Sequence, residues 1–288
     1  MRFAMIREHE RETACFVTSR GLIKIETFNE IKRTEWGTDI ETLIAKGHLP
    51  QLVRWYRAGG RDVIDIMIKS IIPFDKVTYA PLLRRPPKIF GIGINYRDHA
   101  SKMSAPIPSE IPGSFFKPQS TVIGHKDSIR IPSIAKTVTA EAELGIVMGK
   151  NCHNISEENW LDCVAGFTSV IDTTAEDIVK RNPRYLTLSK SFDTFFSFGP
   201  QLITPDEVRD ISSLTVQTVI NGEIKAENKV SEMIFSPSFL TSFHSKIFGW
   251  NEGDILSTGT PGAAEIRDGD IAECRITGFP TLENRAEK

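Results

Sequence analysis

The alternation of apolar and polar residues along the chain predicts many short strands and few helices. Near the N-terminus, the runs "RFAMI", "ACFVT" and "LIKIE" have the two-residue period of strands. Two stretches with helical spacing follow. One is "IETLIAKG", which begins after Asp39 and ends at Gly47, and the other is "PQLVRWYRAGG", which begins at Pro50. These patterns predict a small N-terminal α/β domain.

The segment "RRPPKIF" separates this region from a strand-rich remainder. Pro86 and Pro87 cannot continue a helix, and they push the preceding residues into extended conformations. Strand-like runs dominate afterwards, among them "KIFGIGI", "AELGIVMG", "GFTSVID" and "DIAECRITG". A helix is predicted for "SEENWLDCVAG", with Ser156 as its N-cap. Because helices do not alternate regularly with strands, we expect an α+β fold with domains at 1–85 and 86–288, not a doubly wound parallel sheet.

Charge and composition exclude several classes of partner. The 288 residues include 35 Lys and Arg and 37 Asp and Glu, so the net charge is −2. This balance gives no reason to expect nucleic acid or a membrane surface as a partner. The N-terminal segment lacks the apolar core of a secretory signal, and no run is long enough to span a membrane. The four cysteines are scattered and form no CxxC motif. These features predict a cytoplasmic protein with reduced thiols.

Several common functional motifs match the sequence only in part. "GIGINYRDHA" begins like a dinucleotide-binding fingerprint, but Tyr96 occupies the position of its third glycine. "GIVMGKN" is one residue short of a phosphate-binding loop, and Asn151 replaces the Ser or Thr that would bind magnesium. The sequence contains no GxSxG elbow, no HExxH motif and no Cys/His zinc spacing. Nucleotide, serine-hydrolase and zinc chemistry therefore have no support from motifs.

The run "TAEAELGIVMGK" places Glu141 and Glu143 inside a predicted buried strand. Alternation puts both carboxylates on one face, in a row with glycines that leave room above the backbone, while the opposite face is apolar. Like charges this close repel each other, and a solvated strand face is the commoner explanation of such a pair. Asp172, at the end of "GFTSVID", supplies a third carboxylate if the two strands are neighbours. Three carboxylates suit an octahedral Mg²⁺ or Mn²⁺ ion.

Taken together, the motifs resemble the fumarylacetoacetate hydrolase family from about Lys88 to Asn284. The matching segments occur in the order, and at about the spacings, that are seen in the family. They are "KIFGIGINYRDHA", "FFKPQSTVIG", "EAELGIVMGK", "GFTSVIDTTAED", "KSFDTFFSFGP", "NGE", "GDILSTGTPG" and "TLENR". The resemblance implies a mixed β-sandwich roll, usually a homodimer, behind a smaller variable domain. It also implies cleavage or isomerisation of small oxo-acids: acylpyruvate hydrolysis, oxaloacetate decarboxylation or keto–enol isomerisation.

The resemblance assigns roles to individual residues. Glu141, Glu143 and Asp172 would bind the metal, and Lys190 would stabilise an enolate beside it. His99 would act as the base, and the substrate would contact the remaining positions, Lys117, Thr260 and Tyr96. A bound 2-oxo acid chelates a metal through its carbonyl and carboxylate oxygens, so the metal can act as a Lewis acid. Without the resemblance, a surface lysine would be the simpler interpretation of both Lys190 and Lys117.

Three positions depart from the family pattern. Lys102 replaces the glutamate that follows the histidine by three residues in the hydrolases, and a cation cannot orient His99 as a carboxylate would. Glu176 replaces a frequent arginine, and Ala226 aligns with a frequent glutamine. We therefore expect a metal-dependent hydrolase of an acylpyruvate-like or diketo acid, with an unusual substrate or reduced hydrolytic power. The alternatives are an oxaloacetate decarboxylase or keto–enol tautomerase, neither of which needs an activated water, and a non-catalytic binding protein on the same scaffold.

Overall fold

The computed structural model describes residues 1–102 and 107–288, apart from the side chain of Lys102. The strands of this part of the chain are β1 (Arg2–Glu8), β2 (Arg11–Val17), β3 (Leu22–Lys24), β4 (Ile89–Gly93), β5 (Gly113–Lys117), β6 (Val122–Ile123), β7 (Ile129–Arg130), β8 (Val138–Met148), β9 (Val164–Ala175), β10 (Phe196–Ile203), β11 (Thr215–Ile220), β12 (Glu223–Lys229), β13 (Ile255–Ser257), β14 (Ala263–Ile266), β15 (Ile271–Ile276) and β16 (Leu282–Glu287).

Short helices are interspersed among these strands. They are α1 (Ile25–Lys32), α2 (Ile40–Ala45), α3 (His48–Trp55), α4 (Arg61–Asp65), α5 (Arg97–Lys102), α6 (Glu176–Arg181), α7 (Leu186–Lys190) and α8 (Pro237–Ser245). Within the described residues, no helix has the length and apolar character needed to cross a membrane. The α+β class predicted from the sequence is confirmed: two mixed sheets carry the fold, and the helices are few and short.

The N-terminal elements follow the predicted pattern with two differences. Asp39 caps α2, since its Oδ1 accepts a hydrogen bond from the backbone N–H of Thr42 at 2.6 Å. Helix α3 begins two residues before Pro50, which still lies in the first turn, where its missing N–H costs nothing. The predicted strand "LIKIE" ends at Lys24 instead, because Ile25 and Phe28 bury the same face of α1 at helical spacing.

The larger sheet runs in the order β3-β2-β1-β10-β9-β8-β13-β4-β5, with β14 also paired to β8 and β6 to β10. Its first three strands come from the N-terminal region, and β1 pairs antiparallel with β10 through Phe3 and Leu202. One hydrophobic cluster combines residues from both regions, including Phe16 and Phe28 with Phe198. The N-terminal region and the remainder thus share a sheet and a core, while a domain boundary near Arg85 stays a prediction.

A second sheet, β12-β11-β15-β16-β7, packs over β8 and β9 of the first. The apolar face predicted for β8 fills the space between the sheets, where Ala142, Leu144 and Ile146 are buried. The opposite face of β8 is also buried over part of its length, since Val147 belongs to the other hydrophobic cluster. Strand β8 is therefore covered on both faces, which limits the places where a charged side chain can lie.

Two details of the central hairpin differ from the sequence prediction. The segment predicted as a helix after Ser156 forms 3₁₀ turns over Glu157–Cys163, in which Trp160 and Cys163 are buried at the three-residue spacing of such turns. Gly145 does not leave open space above the strand. A Cβ there would lie 2.7 Å from Cγ2 of Val170, so the glycine permits close packing of β8 against β9.

Candidate metal centre and active-site cleft

Glu141, Glu143 and Asp172 converge on one face of the β8–β9 pair. The strands are antiparallel, and Glu141 is the direct register partner of Asp172, while Glu143 is opposite Val170. Carboxylate oxygens of the three residues all lie within 4.8 Å of one another. The predicted proximity of the three side chains is therefore observed. Asp172 lies inside β9, which continues to Ala175, and not at the end of its strand as the sequence pattern suggested.

Two lysines make ion pairs with Asp172, one to each of its oxygens. Lys117, the last residue of β5, donates to Oδ1 and also to the carbonyl of Thr173 at 3.1 Å. Lys190, the last residue of α7, donates to Oδ2 and lies 3.4 Å from Oε2 of Glu141. Both lysine side chains and Asp172 are almost completely buried. Neither lysine is the surface residue that its sequence context alone suggested.

Thr174 connects Lys190 to the carboxylates. Its hydroxyl accepts a hydrogen bond from Nζ of Lys190 at 2.7 Å and donates to Oε1 of Glu141 at 2.7 Å. The ammonium of Lys190 also lies 4.6 Å from the centroid of the Phe115 ring, a distance at which a cation is attracted to an aromatic face. These contacts hold Lys190 beside Glu141 and Asp172.

Glu143 is almost completely buried, and its side-chain hydrogen bonds involve one oxygen. Within the described residues, Oε2 accepts from the hydroxyl of Ser257 at 2.5 Å and from the N–H of Gly259 at 2.8 Å, which leaves Oε1 available as a ligand. Burial, reinforced by the charges of Asp172 and Glu141, raises the pKa of Glu143 to about 8. A carboxylate in this environment is stabilised by any added positive charge.

The pKa values of the two lysines are shifted in opposite directions, although both lysines contact Asp172. Burial lowers the pKa of Lys117 to about 8, although Asp172 acts in the opposite direction. Burial also acts to lower the pKa of Lys190, but Asp172 and Glu141 outweigh it and raise that pKa above its ordinary value. For Asp172, burial acts to raise the pKa, but Lys117 and Lys190 outweigh it and lower the value. Lys190 and Asp172 are therefore charged at neutral pH.

The donor set fits a hard divalent cation. With all three carboxylates ionised, the two ammonium groups leave one uncompensated negative charge; without a cation, the raised pKa of Glu143 keeps that group protonated at neutral pH, and an added cation would take the place of its proton. All three acidic side chains offer oxygen, the ligand that Mg²⁺ and Mn²⁺ prefer, and the side chain of Glu141 is 12% exposed, so the site opens to solvent on that side. The residues present therefore fit a Mg²⁺ or Mn²⁺ ion held by Glu141, Glu143 and Asp172.

Thr260 and Tyr96, both predicted to contact substrate, lie in different surroundings. Thr260 is buried, and its hydroxyl exchanges hydrogen bonds of 3.1 Å with the backbone of Gly262 inside the same turn. Tyr96 is completely buried in the core between the sheets, and its hydroxyl has no hydrogen-bond partner within the described residues. Burial, followed by the charge of Glu143, raises the pKa of this hydroxyl. Substrate contact by either residue stays a prediction.

A cleft of about 260 Å³ has His99 in its wall, together with Ala263, which is the register partner of Glu141. We call it the Glu176 cleft. His99 is 7% exposed and belongs to α5, whose last residue, Lys102, has its side chain outside the described part of the chain. Two of the three positions that depart from the family pattern also line this cleft. The wall of the cleft includes His99, Thr139, Glu176, Ala226, Gly262 and Ala263.

Sequence reasoning missed Thr174, Ser257 and Gly259. Thr174 is two residues beyond Asp172, so strand alternation puts both on one face, and this signal was available. Ser257 precedes the "TGTP" motif and Gly259 lies within it, but their hydrogen bonds to Glu143 depend on the antiparallel pairing of β13 with β8. No local pattern reveals that pairing, because the two strands are more than a hundred residues apart in sequence.

Known proteins resemble this chain in sequence and in fold. The oxaloacetate tautomerase fahd2, mitochondrial, of Xenopus laevis is 36% identical over 225 residues, 75% of this chain and 70% of that protein. The crystal structure of 2-hydroxyhepta-2,4-diene-1,7-dioate isomerase from Mycobacterium marinum is 30% identical with a TM-score of 0.67, over 75% of this chain and 80% of that one.

A third relative extends the likeness in fold to the whole chain. The maleylpyruvate hydrolase from Sphingobium sp. SYK-6, in complex with manganese(II) ion and pyruvate, is 22% identical with a TM-score of 0.77, over 100% of this chain and 99% of that one. In addition, the family model described as fumarylacetoacetate (FAA) hydrolase C-terminal matches residues 88–287. The chain therefore belongs to the fumarylacetoacetate hydrolase family.

Proposed function

We propose that the protein is a divalent-metal-dependent enzyme that forms and reprotonates the enolate of a small 2-oxo acid, and thus acts as a keto–enol tautomerase. The observation that carries this proposal is the convergence of three carboxylates within 4.8 Å, with the ammonium of Lys190 directly beside them. Such an arrangement binds a cation and places a second positive group where negative charge develops on a substrate oxygen.

A divalent cation bound by the three carboxylates would supply Lewis acidity toward the carbonyl and carboxylate oxygens of a 2-oxo acid. Side chains of the protein supply the charge stabilisation and the proton transfer. Lys190, held by Asp172 and Thr174, presents a fixed positive charge to the developing enolate oxygen. His99, in the wall of the Glu176 cleft, carries the proton between substrate carbon and solvent.

Tautomerisation ranks before hydrolysis for two reasons, although the sequence alone favoured the hydrolase. The Xenopus relative, at 36% identity, carries the name oxaloacetate tautomerase. Lys102 also occupies the position at which an acidic partner would help His99 to activate water, and enolisation requires no attacking water. Hydrolysis of an acylpyruvate is the second candidate, since it would use the same enolate stabilisation and His99 lies at the cleft.

The test separates the three possible reactions on one preparation. Purified protein with Mg²⁺ is mixed with oxaloacetate, and the ultraviolet absorbance of the enol is followed together with a coupled assay for pyruvate. Tautomerisation changes the enol absorbance without forming pyruvate, whereas decarboxylation forms pyruvate. Acetylpyruvate tests hydrolysis in parallel. We expect metal-dependent enol conversion that EDTA abolishes. Pyruvate formation alone, or no turnover of either compound, would contradict the tautomerase proposal.

The homodimer and the cytoplasmic location stay predictions. A binding protein without catalytic activity is the least favoured alternative, because named relatives of the family are enzymes and the buried charges of the site have a direct catalytic use. Binding of oxalate in the presence of Mn²⁺ without turnover of any oxo-acid would support that alternative.

A further inference from the structure

Asp172 is anchored through one of its two carboxylate oxygens. Lys117 donates to Oδ1, and its ammonium also donates to the carbonyl of Thr173 at 3.1 Å. The side chains of Lys117 and Asp172 are completely buried, so the lysine has no alternative partner in solvent. The other oxygen, Oδ2, faces Glu141, because Lys190 contacts both Oδ2 and the carboxylate of Glu141. Asp172 can therefore offer Oδ2 to an ion without breaking its contact with Lys117.

The two glutamates are anchored in the same way. Oε1 of Glu141 accepts a hydrogen bond of 2.7 Å from the hydroxyl of Thr174, a residue that is 2% exposed. Lys190 lies 3.5 and 3.4 Å from the two oxygens of Glu141, so this contact favours neither of them. Oε2 of Glu143 accepts the hydroxyl and backbone N–H hydrogen bonds described above. The oxygens left for an ion are therefore Oε2 of Glu141 and Oε1 of Glu143.

Each carboxylate of the centre is thus fixed for binding through a single oxygen. A bidentate carboxylate must turn both oxygens toward the ion, and here that rotation would break an anchoring hydrogen bond in a buried site, where an unmade bond is expensive. Ca²⁺ takes about six to eight oxygen ligands and often uses bidentate carboxylates, whereas Mg²⁺ demands a near-ideal octahedron, which single oxygens fit. The anchoring therefore deprives Ca²⁺ of ligands and leaves those of Mg²⁺ in place.

Building on the proposed function, we propose that these anchoring hydrogen bonds make the site selective for Mg²⁺ and Mn²⁺ over Ca²⁺. Lys117 holds Asp172 as a ligand through one oxygen, and the hydroxyl of Thr174 does the same for Glu141. Both are positioning residues, because each acts through a metal ligand and contacts neither the ion nor the substrate. For Lys117, this role replaces the substrate contact that the family resemblance implied. Charge compensation cannot produce the selectivity, since Mg²⁺ and Ca²⁺ carry the same charge.

The experiment measures how well Mg²⁺ and Ca²⁺ displace Mn²⁺ from the full-length protein, with the released Mn²⁺ detected by electron paramagnetic resonance. We expect wild-type protein to bind Mg²⁺ more tightly than Ca²⁺ by about tenfold or more. Thr174→Val frees Oε1 of Glu141 without changing any charge, and it should reduce this ratio by about fivefold or more, mainly through tighter binding of Ca²⁺. Thr174→Ser keeps the hydroxyl, and its ratio should stay within about twofold of the wild-type value.

Lys117→Met provides a second test, since it frees Oδ1 of Asp172 while Lys190 still compensates the charge of the aspartate. The ratio should shift in the same direction as in Thr174→Val, and if one of the two variants does not fold, the other decides. Ca²⁺ binding as tightly as Mg²⁺ in the wild type, or an unchanged ratio in the variants, would overturn the inference and leave the proposed function intact. Failure of the wild type to bind Mn²⁺ would overturn both.

Discussion

Glu141 and Asp172 are direct partners across antiparallel strands, and their carboxylates lie on the same face of the sheet. Repulsion between them is balanced by two lysines. Lys190 contacts both carboxylates, and Lys117 contacts the other oxygen of Asp172. The centre is thus held together by compensating charges before any ion is added. Removal of a single member should therefore affect both folding and metal binding, in directions that depend on which charge is lost.

Asp172→Asn should be strongly destabilising. It leaves the buried ammonium groups of Lys117 and Lys190 without their shared counter-charge, and loss of one partner of a buried ion pair costs about 3–5 kcal/mol. Urea unfolding of metal-free protein measures the change in the free energy of unfolding. Asp162→Asn, at an exposed position, should change it by less than about 0.5 kcal/mol. Equal stability of the two variants would show that Asp172 does not compensate the lysines.

Glu143→Gln should weaken metal binding without lowering the stability of the metal-free protein. The amide oxygen can still accept the hydrogen bonds from Ser257 and Gly259, and an uncharged side chain removes the cost of keeping the buried carboxyl protonated at neutral pH, a cost that the charges of Asp172 and Glu141 increase. In the presence of EDTA we expect the variant to be as stable as the wild type or more stable, by about 1 kcal/mol. Its affinity for Mn²⁺ should fall at least a hundredfold. Thermal unfolding and calorimetry provide the two measurements, and a variant that is less stable without losing affinity would contradict this account.

Lys190→Gln should reduce turnover far more than metal binding. The amide retains a hydrogen-bond donor toward Thr174 and Asp172 but removes the charge beside the developing enolate, and such charges contribute about a hundredfold or more to rate. We expect kcat to fall by that amount while Mn²⁺ affinity changes by less than tenfold. Lys150→Gln, at an exposed position two residues beyond the end of β8, is the matched control. Retention of wild-type kcat in Lys190→Gln would exclude a catalytic role.

His125 should make stability decrease in mildly acidic solution. Burial lowers its pKa from 6.5 to about 4, and its Nδ1 accepts a hydrogen bond from the N–H of Glu283 at 3.2 Å, which requires a neutral ring. Between about pH 6.5 and 4, the unfolded chain binds a proton that the folded chain does not, so the free energy of unfolding falls as pH falls, and the contribution is constant below that window.

The matching variant is His125→Asn, whose side-chain oxygen can accept the same hydrogen bond without titrating. Urea unfolding at pH 7 and at pH 4.5 should show a smaller loss of stability for the variant than for the wild type, by about 1 kcal/mol. Parallel curves for the two proteins would indicate that His125 does not contribute to the acid sensitivity.

The common face of the three carboxylates was predictable from sequence because strand alternation is local. A two-residue period fixes the face of Glu141 and Glu143, and the same period in the next strand fixes Asp172. The burial of Lys117 was not predictable, since it depends on how β5 and its neighbours bring the end of that strand to Asp172. The β-branched run "LIKIE" likewise suggested strand, and tertiary burial of Ile25 and Phe28 in a helix prevailed.

The joining of β1 to β10 could not be foreseen for the same reason. The pairing of Phe3 with Leu202 links segments two hundred residues apart, and no local pattern encodes it. The positions that depart from the family pattern could be identified from sequence, but their arrangement could not. Only the fold shows that Glu176 and Ala226 line one cleft with His99.

The central claim is that Glu141, Glu143 and Asp172 bind one divalent ion. Crystals grown with saturating Mn²⁺ and measured for anomalous scattering test it most directly. We expect a single strong peak bonded to oxygens of all three side chains. A map without anomalous density between these three carboxylates, at a Mn²⁺ concentration that supports activity, would contradict the account.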